Sequence, residues 1–173
     1  MLRAGFGTKL AWIADRDQEI VFVGRDDEDG RTAARLATAV GIRKLGGYLH
    51  GGMTAWRVEK REVESVPRLD VPSLAERRER EPELQILDVR EKSEWQDGHI
   101  PGSLHVPYHD IHGIPEGLDA DRPVAVICSS GERSVVAGSL LKAYGARDVI
   151  HVVDGGVPLW GRLGNPLEEL AAS

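Results

Sequence analysis

Two runs of four consecutive apolar residues, Ile20–Val23 (IVFV) and Val124–Ile127 (VAVI), have no polar break. Apolar runs without alternation predict strands buried on both faces, as in a parallel sheet. Each run passes through a short polar loop into apolar residues at helical spacing. After the first these are Ala33, Leu36, Ala37 and Val40; after the second they are Val136, Ala137, Leu140, Leu141 and Tyr144. The second helix is expected to start at about Arg133–Ser134. Gly41 and Gly145 then stand where glycine closes a helix. DVIHVV, ending at Val153, predicts a further strand. Each stretch reads as strand, tight loop, helix, strand, loop and short helix. This βαβ pattern predicts an α/β fold with a parallel sheet flanked by helices.

The two stretches are also copies of each other. Ile20–Trp56 and Val124–Trp160 align without a gap at an offset of 104 residues, and nine of the 37 positions are identical. The identities include Gly41 with Gly145, Gly51-Gly52 with Gly155-Gly156, and Trp56 with Trp160. Shared glycines and a shared tryptophan in register suggest one structural unit used twice. The second copy is preceded by Leu84–Ile111, which holds a buried-type strand (LQILDV), a charged helical turn and a glycine-proline loop. Only 19 residues precede the first copy, so it is expected to be half a domain. Half a sheet leaves an open edge, which predicts docking on the second domain or pairing in a homodimer.

Between the copies, Arg57–Glu83 is dense in charge. Interleaved arginines and glutamates read as a solvated face rather than a nucleic-acid site. VPSLAERRERE is expected to form the opening helix of the second domain. The expected organisation is a partial unit over 1–60, a linker over 61–65 and a domain over 66–168.

Composition narrows the function classes. The 173 residues are 41% apolar and 29% charged, with a net charge of −6. This is a soluble composition and argues against nucleic-acid binding through a basic surface. No apolar run approaches a membrane span, and the N-terminus lacks the order of a signal peptide. One cysteine excludes an intrachain disulfide and fits a reducing, cytoplasmic setting.

That cysteine opens the segment CSSGERS, Cys128–Ser134. A lone cysteine is commonly a packing residue. Here it ends a buried strand, small residues follow, and a helix N-terminus points back at it. Successive inward N–H groups backed by a helix dipole make an anion nest, which favours thiolate over thiol. Ser129, Ser130, Gly131, Glu132, Arg133 and Ser134 line this loop. The aligned loop of the first copy, GRDDEDG, has Gly24 in place of Cys128 and Asp29 in place of Arg133. With four acidic residues and no nucleophile, the first unit is expected to be catalytically inactive. His99, His105, His109 and His112 lie within 14 residues, but no cysteine or regular ligand helix supports a metal site. GGYLHGG lacks the strand-loop-helix setting of a nucleotide loop, so its glycines read as turn residues.

LDVREKSEWQDGHIPGSLHVP followed by VICSSGERS and HVVDGGVPLW resembles the rhodanese (thiosulfate sulfurtransferase) family. The resemblance covers roughly Val66–Gly164 and includes Asp88, Arg90, Glu94 and Trp95 of the opening motif, the loop at Cys128, and Gly155-Gly156 with Trp160. FGTKLAWI, IVFVGRDDEDGRTAARLA and GYLHGGMTAW are similar to the middle of proteins that fuse a metallo-β-lactamase-fold domain to two rhodanese domains, linked to persulfide and sulfide oxidation. The resemblance implies a sulfurtransferase in which Cys128 takes a sulfane sulfur from thiosulfate or a small persulfide and passes it to a thiol or cyanide, without metal or organic cofactor. It implies that Arg133 pairs with a carboxylate such as Glu94, although attraction of a substrate anion stays open. Asp88 and Arg90 are expected to tie the opening strand to neighbouring loops. Alternatives are a persulfide-carrying or docking module for a partner such as a metallo-β-lactamase-fold dioxygenase, and a phosphatase or arsenate reductase. The Cys-x4-Arg spacing favours sulfur over phosphoryl transfer, because the phosphatase families carry Cys-x5-Arg.

Overall fold

The computed structural model describes residues 5–169, so the first and last four residues, including the first four of the expected 1–60 unit, lie outside the described residues. The chain divides into two compact units, one ending at Glu64 and the other starting at Ser65.

The first unit runs α1 (Phe6–Ile13), β1 (Ile20–Phe22), α2 (Asp27–Ala39), β2 (Leu45–Tyr48) and α3 (Gly52–Val58). β1 and β2 pair in parallel, with a register irregularity between Ile20 and Val21. Phe22, Ala33, Ala37 and Ile42 form its small core, with Phe6, Leu10, Ile20 and Leu45 packed around them. Of the expected helix face, Ala33 and Ala37 are buried and Val40 packs against the core, but Leu36 is exposed. Not all the glycines of GGYLHGG are turn residues: Gly46 and Gly47 lie within β2. Backbone pairing with β1 needs no side chain there, so glycine composition misleads at this strand.

In the second unit the order is β3 (Arg68–Leu69), α4 (Val71–Arg80), β4 (Gln85–Asp88), α5 (Lys92–Gln96), β5 (Leu104–His105), a 3-10 turn (Tyr108–Asp110), β6 (Val124–Ile127), α6 (Glu132–Ala143), β7 (Val149–Val152) and α7 (Gly156–Arg162). The five strands lie in the order β3-β7-β6-β4-β5, and every pairing is parallel. This is the α/β sheet flanked by helices that the apolar runs imply. β6 and β7 are buried at every residue, which explains their unbroken apolar character. Asp70 caps α4 by accepting from the Ser73 amide at 2.8 Å, next to the proline expected early in a helix.

One sheet face packs Ile86, Ala125, Ile127, Ile150 and Val152 against Val71 and Leu74 of α4 and Val157 and Trp160 of α7. α6 covers β6 and β7 from the opposite side. Its buried stripe is Ser134, Ala137, Gly138 and Leu141, while Tyr144 is exposed, contrary to the sequence reading. The helix begins at Glu132, one residue ahead of the expected start. Small residues are needed because α6 sits close to the sheet: a Cβ on Gly138 would lie 3.4 Å from the Val149 side chain.

Hydrogen bonds recur between the units at the same offset of 104. Met53 donates to the Gly24 carbonyl at 2.9 Å, and Val157 donates to the Cys128 carbonyl at 3.0 Å. The Trp56 indole donates to Glu62 O at 2.9 Å, and the Trp160 indole to Pro166 O at 2.8 Å. Ile42 and Ala146 close their preceding helices on Ala37 and Leu141. The likeness of the two stretches therefore extends to individual backbone bonds.

The tightest of these approaches is at Gly156, where a Cβ would fall 1.7 Å from the Cys128 carbonyl oxygen and the backbone has φ +48°. Gly156→Ala is expected to cost at least ~3 kcal/mol in urea unfolding. Gly145→Ala, at φ +100° with nothing within 4 Å of the added carbon, should cost only about 1 kcal/mol. Equal losses at the two positions would contradict the close approach.

Candidate active site

Cys128 follows directly on β6, at the carboxyl end of the parallel sheet, where open α/β folds place their ligands. The residue is fully buried. Its carbonyl is held by the first turn of α7, and its side chain faces the start of α6. Gly131, the N-cap of α6, is in the left-handed region at φ +91°. This conformation turns the loop so that the Gly131 amide donates to Cys128 Sγ at 3.1 Å. Ser134 Oγ lies 3.5 Å from the sulfur and within 3.2 Å of the carbonyl oxygens of Gly131 and Val152.

Two opposed effects set the thiol's acidity. Burial pushes the Cys128 pKa up, because a charged sulfur loses water. Hydrogen bonds from the Ser134 hydroxyl and the amides of Ser134, Ser130 and Gly131 outweigh this, and the net direction is down. The amides that follow Cys128 in the chain thus converge on its sulfur.

Arg133 does not point a free guanidinium at the nest. Its Nη1 donates to Glu94 Oε2, and its Nη2 donates to Glu94 Oε1 and to Ser129 Oγ, both at 2.9 Å. Ser129 in turn donates to Glu94 Oε1 at 2.8 Å. The bidentate arginine, with help from the Ser129 bond, outweighs the upward push of burial and leaves the Glu94 pKa at about 2, and Glu94 raises that of Arg133. The structure therefore brings together Glu94, Ser129 and Arg133 as one clamp across the mouth of the loop. Glu132 opens α6 in its first turn, where a carboxylate suits the helix dipole.

Asp88 and Arg90 form a second, buried pair one strand away. Arg90 Nη2 donates to Asp88 Oδ2 at 2.6 Å and to the Gly98 carbonyl at 2.7 Å. The Val89 amide between them donates to the Ile127 carbonyl, the residue before Cys128. They brace the strand beside the loop and do not contact the sulfur bonds described above. The histidines do not converge. His99 bonds Trp95 O, His105 bonds Arg90 O, and His109 lies between Glu91 and Asp110. Among the described residues no group of three or more His, Cys, Asp or Glu is placed to hold a metal ion. No helix among them is long and apolar enough to cross a membrane.

A residue missed in the sequence is His151 of β7, whose Nε2 lies 2.8 Å from the Gly131 carbonyl. Its signal was a polar residue inside the otherwise apolar run VIHVV.

Residues 71–163, more than half of the chain, match the rhodanese-like domain. This chain belongs to the rhodanese-like family. Thiosulfate sulfurtransferase GlpE of Pseudomonas savastanoi is 38% identical over 81 residues, 47% of this chain and 76% of that protein. A Bacillus subtilis protein named as a candidate sulfur carrier, YrkF, is 34% identical over 91 residues, 53% of this chain but only 49% of its own length. Among solved structures, the Alr3790 protein from Anabaena is similar, with a TM-score of 0.54 and 32% identity over 60% of this chain and 94% of that one. The matched region is the second unit, so the rhodanese-like assignment applies to the unit that contains Cys128.

The clamp of this rhodanese-like loop has a defined pH signature. Because the Glu94 pKa falls from 4.5 to about 2 on folding, its contribution is complete above about pH 4.5 and is lost as pH falls towards 2. Glu94→Gln should melt a few degrees below wild type at pH 7, a loss of ~1 kcal/mol after allowing for solvent screening. The two should converge as pH approaches 2. Equal melting temperatures at pH 7 would count against the clamp.

Proposed function

We propose that the chain is a rhodanese-type sulfurtransferase working through a Cys128 persulfide. The observation that carries this reading is the sulfur itself, buried at a helix N-terminus with the Gly131 amide aimed at it and the Ser134 hydroxyl beside it. In the first half-reaction the Cys128 thiolate attacks the outer sulfur of thiosulfate or of a small persulfide. A new S–S bond forms, the donor's S–S bond breaks, and sulfite or a thiolate leaves with the electron pair. The second half-reaction sends an acceptor thiolate, or cyanide, to the terminal sulfur and returns Cys128 as thiolate. No net oxidation occurs, and no other group needs to carry the sulfur. Ser129, Ser130, Gly131, Glu132 and Ser134 form the cradle, Arg133 and Glu94 hold its mouth, and Asp88 with Arg90 supports the adjoining strand. The similarity to thiosulfate sulfurtransferases supports the reaction class. With Arg133 paired to Glu94 and Glu132 beside it, Arg133 adds little positive potential at the mouth, which favours a persulfide of low charge over the thiosulfate dianion as donor.

A second reading is favoured by the first unit. Its loop has Gly24 at the place of the cysteine and carboxylates at the helix start, so it serves as scaffold or docking element in a tandem arrangement with an inactive first copy. The whole chain would then carry persulfide for a partner such as a metallo-β-lactamase-fold dioxygenase, or pair as a homodimer. Both readings place it in the cytoplasm, with small sulfur donors and thiol acceptors as its ligands.

Wild-type protein should move sulfur from thiosulfate to cyanide and from glutathione persulfide to a thiol, and Cys128→Ser should reduce both by roughly three orders of magnitude or more. Equal turnover in the variant would sink the proposal. A stable adduct of about 32 Da on Cys128 without turnover would instead select the carrier reading.

A further inference from the structure

His151 is buried in the middle of the sheet, where a polar side chain is costly unless it is bonded. Its strand is fixed on both sides: His151 pairs with Val126 of β6 and Arg68 of β3, and its amide donates to Pro67 O at 2.8 Å. Ile150 and Val152 face the core shared with α4 and α7, so His151 faces the opposite way, towards the start of α6. There its Nε2 meets the Gly131 carbonyl at 2.8 Å. A carbonyl only accepts, so the proton resides on Nε2. The ring also packs on the glycine: a Cβ at Gly131 would lie 3.3 Å from Nε2.

Resting on the sulfurtransferase reading, we propose that His151 is a positioning residue for the nucleophile: its Nε2–H holds the Gly131 carbonyl and so keeps the left-handed glycine in the conformation that aims its amide at Cys128 Sγ. The chain runs from rigid strand to imidazole to carbonyl, and from the same residue's amide to sulfur at 3.1 Å. Burial, with Arg68 nearby, holds the His151 pKa down despite the bond to Gly131 and the charge of Asp154, so the neutral ring with one N–H is the working form. The first unit provides an internal comparison. At the offset of 104, Gly24 stands for Cys128 and Gly47 stands for His151. The copy that lacks the sulfur also lacks the brace, and a Cβ on Gly47 would meet nothing within 4 Å.

The test is the pH dependence of Cys128 alkylation by iodoacetamide, which needs no natural substrate. His151→Leu should raise the midpoint by roughly one pH unit, the scale of one lost hydrogen bond to a charged group. His151→Gln, whose amide reaches the Nε2 position as a donor, should stay near wild type. An unchanged midpoint in a folded His151→Leu protein overturns the proposal, as does a Gln variant that behaves like Leu. Should the Leu variant fail to fold, nitrogen-15 NMR of wild type decides it: an Nε2–H tautomer supports the brace, and an Nδ1–H tautomer overturns it. Transfer assays run alongside separate the two levels. A shifted midpoint in a protein without sulfur transfer preserves the brace and removes the activity. Full transfer with an unshifted midpoint does the reverse.

Discussion

The second unit depends on how closely α7 approaches the end of β6. The Gly156 backbone lies against the Cys128 peptide with no room for a Cβ, and the Val157 amide takes the Cys128 carbonyl. That bond removes the carbonyl of the sulfur-bearing residue from the loop's own network. The loop backbone is then free to turn its N–H groups inward, which an intact strand could not do. The sheet, the helix start and Gly156 thus form one device. The strands fix where Cys128 ends, α7 fixes which way its carbonyl points, and α6 supplies the positive end of a dipole.

Electrostatics at the site is a balance rather than an accumulation of charge. Burial works against the thiolate, and short directed bonds offset it. The Arg133 guanidinium is spent on Glu94, so it orders the mouth instead of filling it with positive potential. The first unit solves the same geometric problem differently. Its helix α2 also begins where N–H groups converge, but the protein's own carboxylates occupy the place: Asp26 accepts from the Asp29 amide at 2.9 Å, and Asp27 accepts from the Gly51 amide at 2.7 Å. Arg25 forks onto Asp29 at 2.7 and 3.0 Å. The acidic loop of the first unit thus already holds carboxylates where an anion would otherwise bind.

The parts readable from sequence were those with local causes. β4, β6 and β7 announced themselves because both faces are buried, and α4 carried a cap, a proline and a polar exposed face. The cradle was readable because its donors follow Cys128 directly in the chain. The two-residue strands β3 and β5 were not, since only distant partners make them strands. The buried stripe of α6 was misplaced because Ser134 and Gly138 are chosen for closeness to the sheet rather than for apolarity. The Glu94–Arg133 pair spans 39 residues, so only resemblance suggested it. His151 stayed hidden because its partner is a backbone carbonyl 20 residues earlier, which leaves no mark on the sequence.

Gly24 of the first unit shows how tightly that loop is committed to its own contacts. A Cβ there would sit 2.6 Å from the Asp29 Cβ, so the aspartate occupies space a cysteine needs. Introducing a nucleophile would require Asp29 to shift or change at the same time, with the Arg25 fork undone as well. Each replacement alone gives up a satisfied contact and gains nothing. The first unit's loop is thereby locked by coupling between its residues: no single substitution converts it into one like the Cys128 loop.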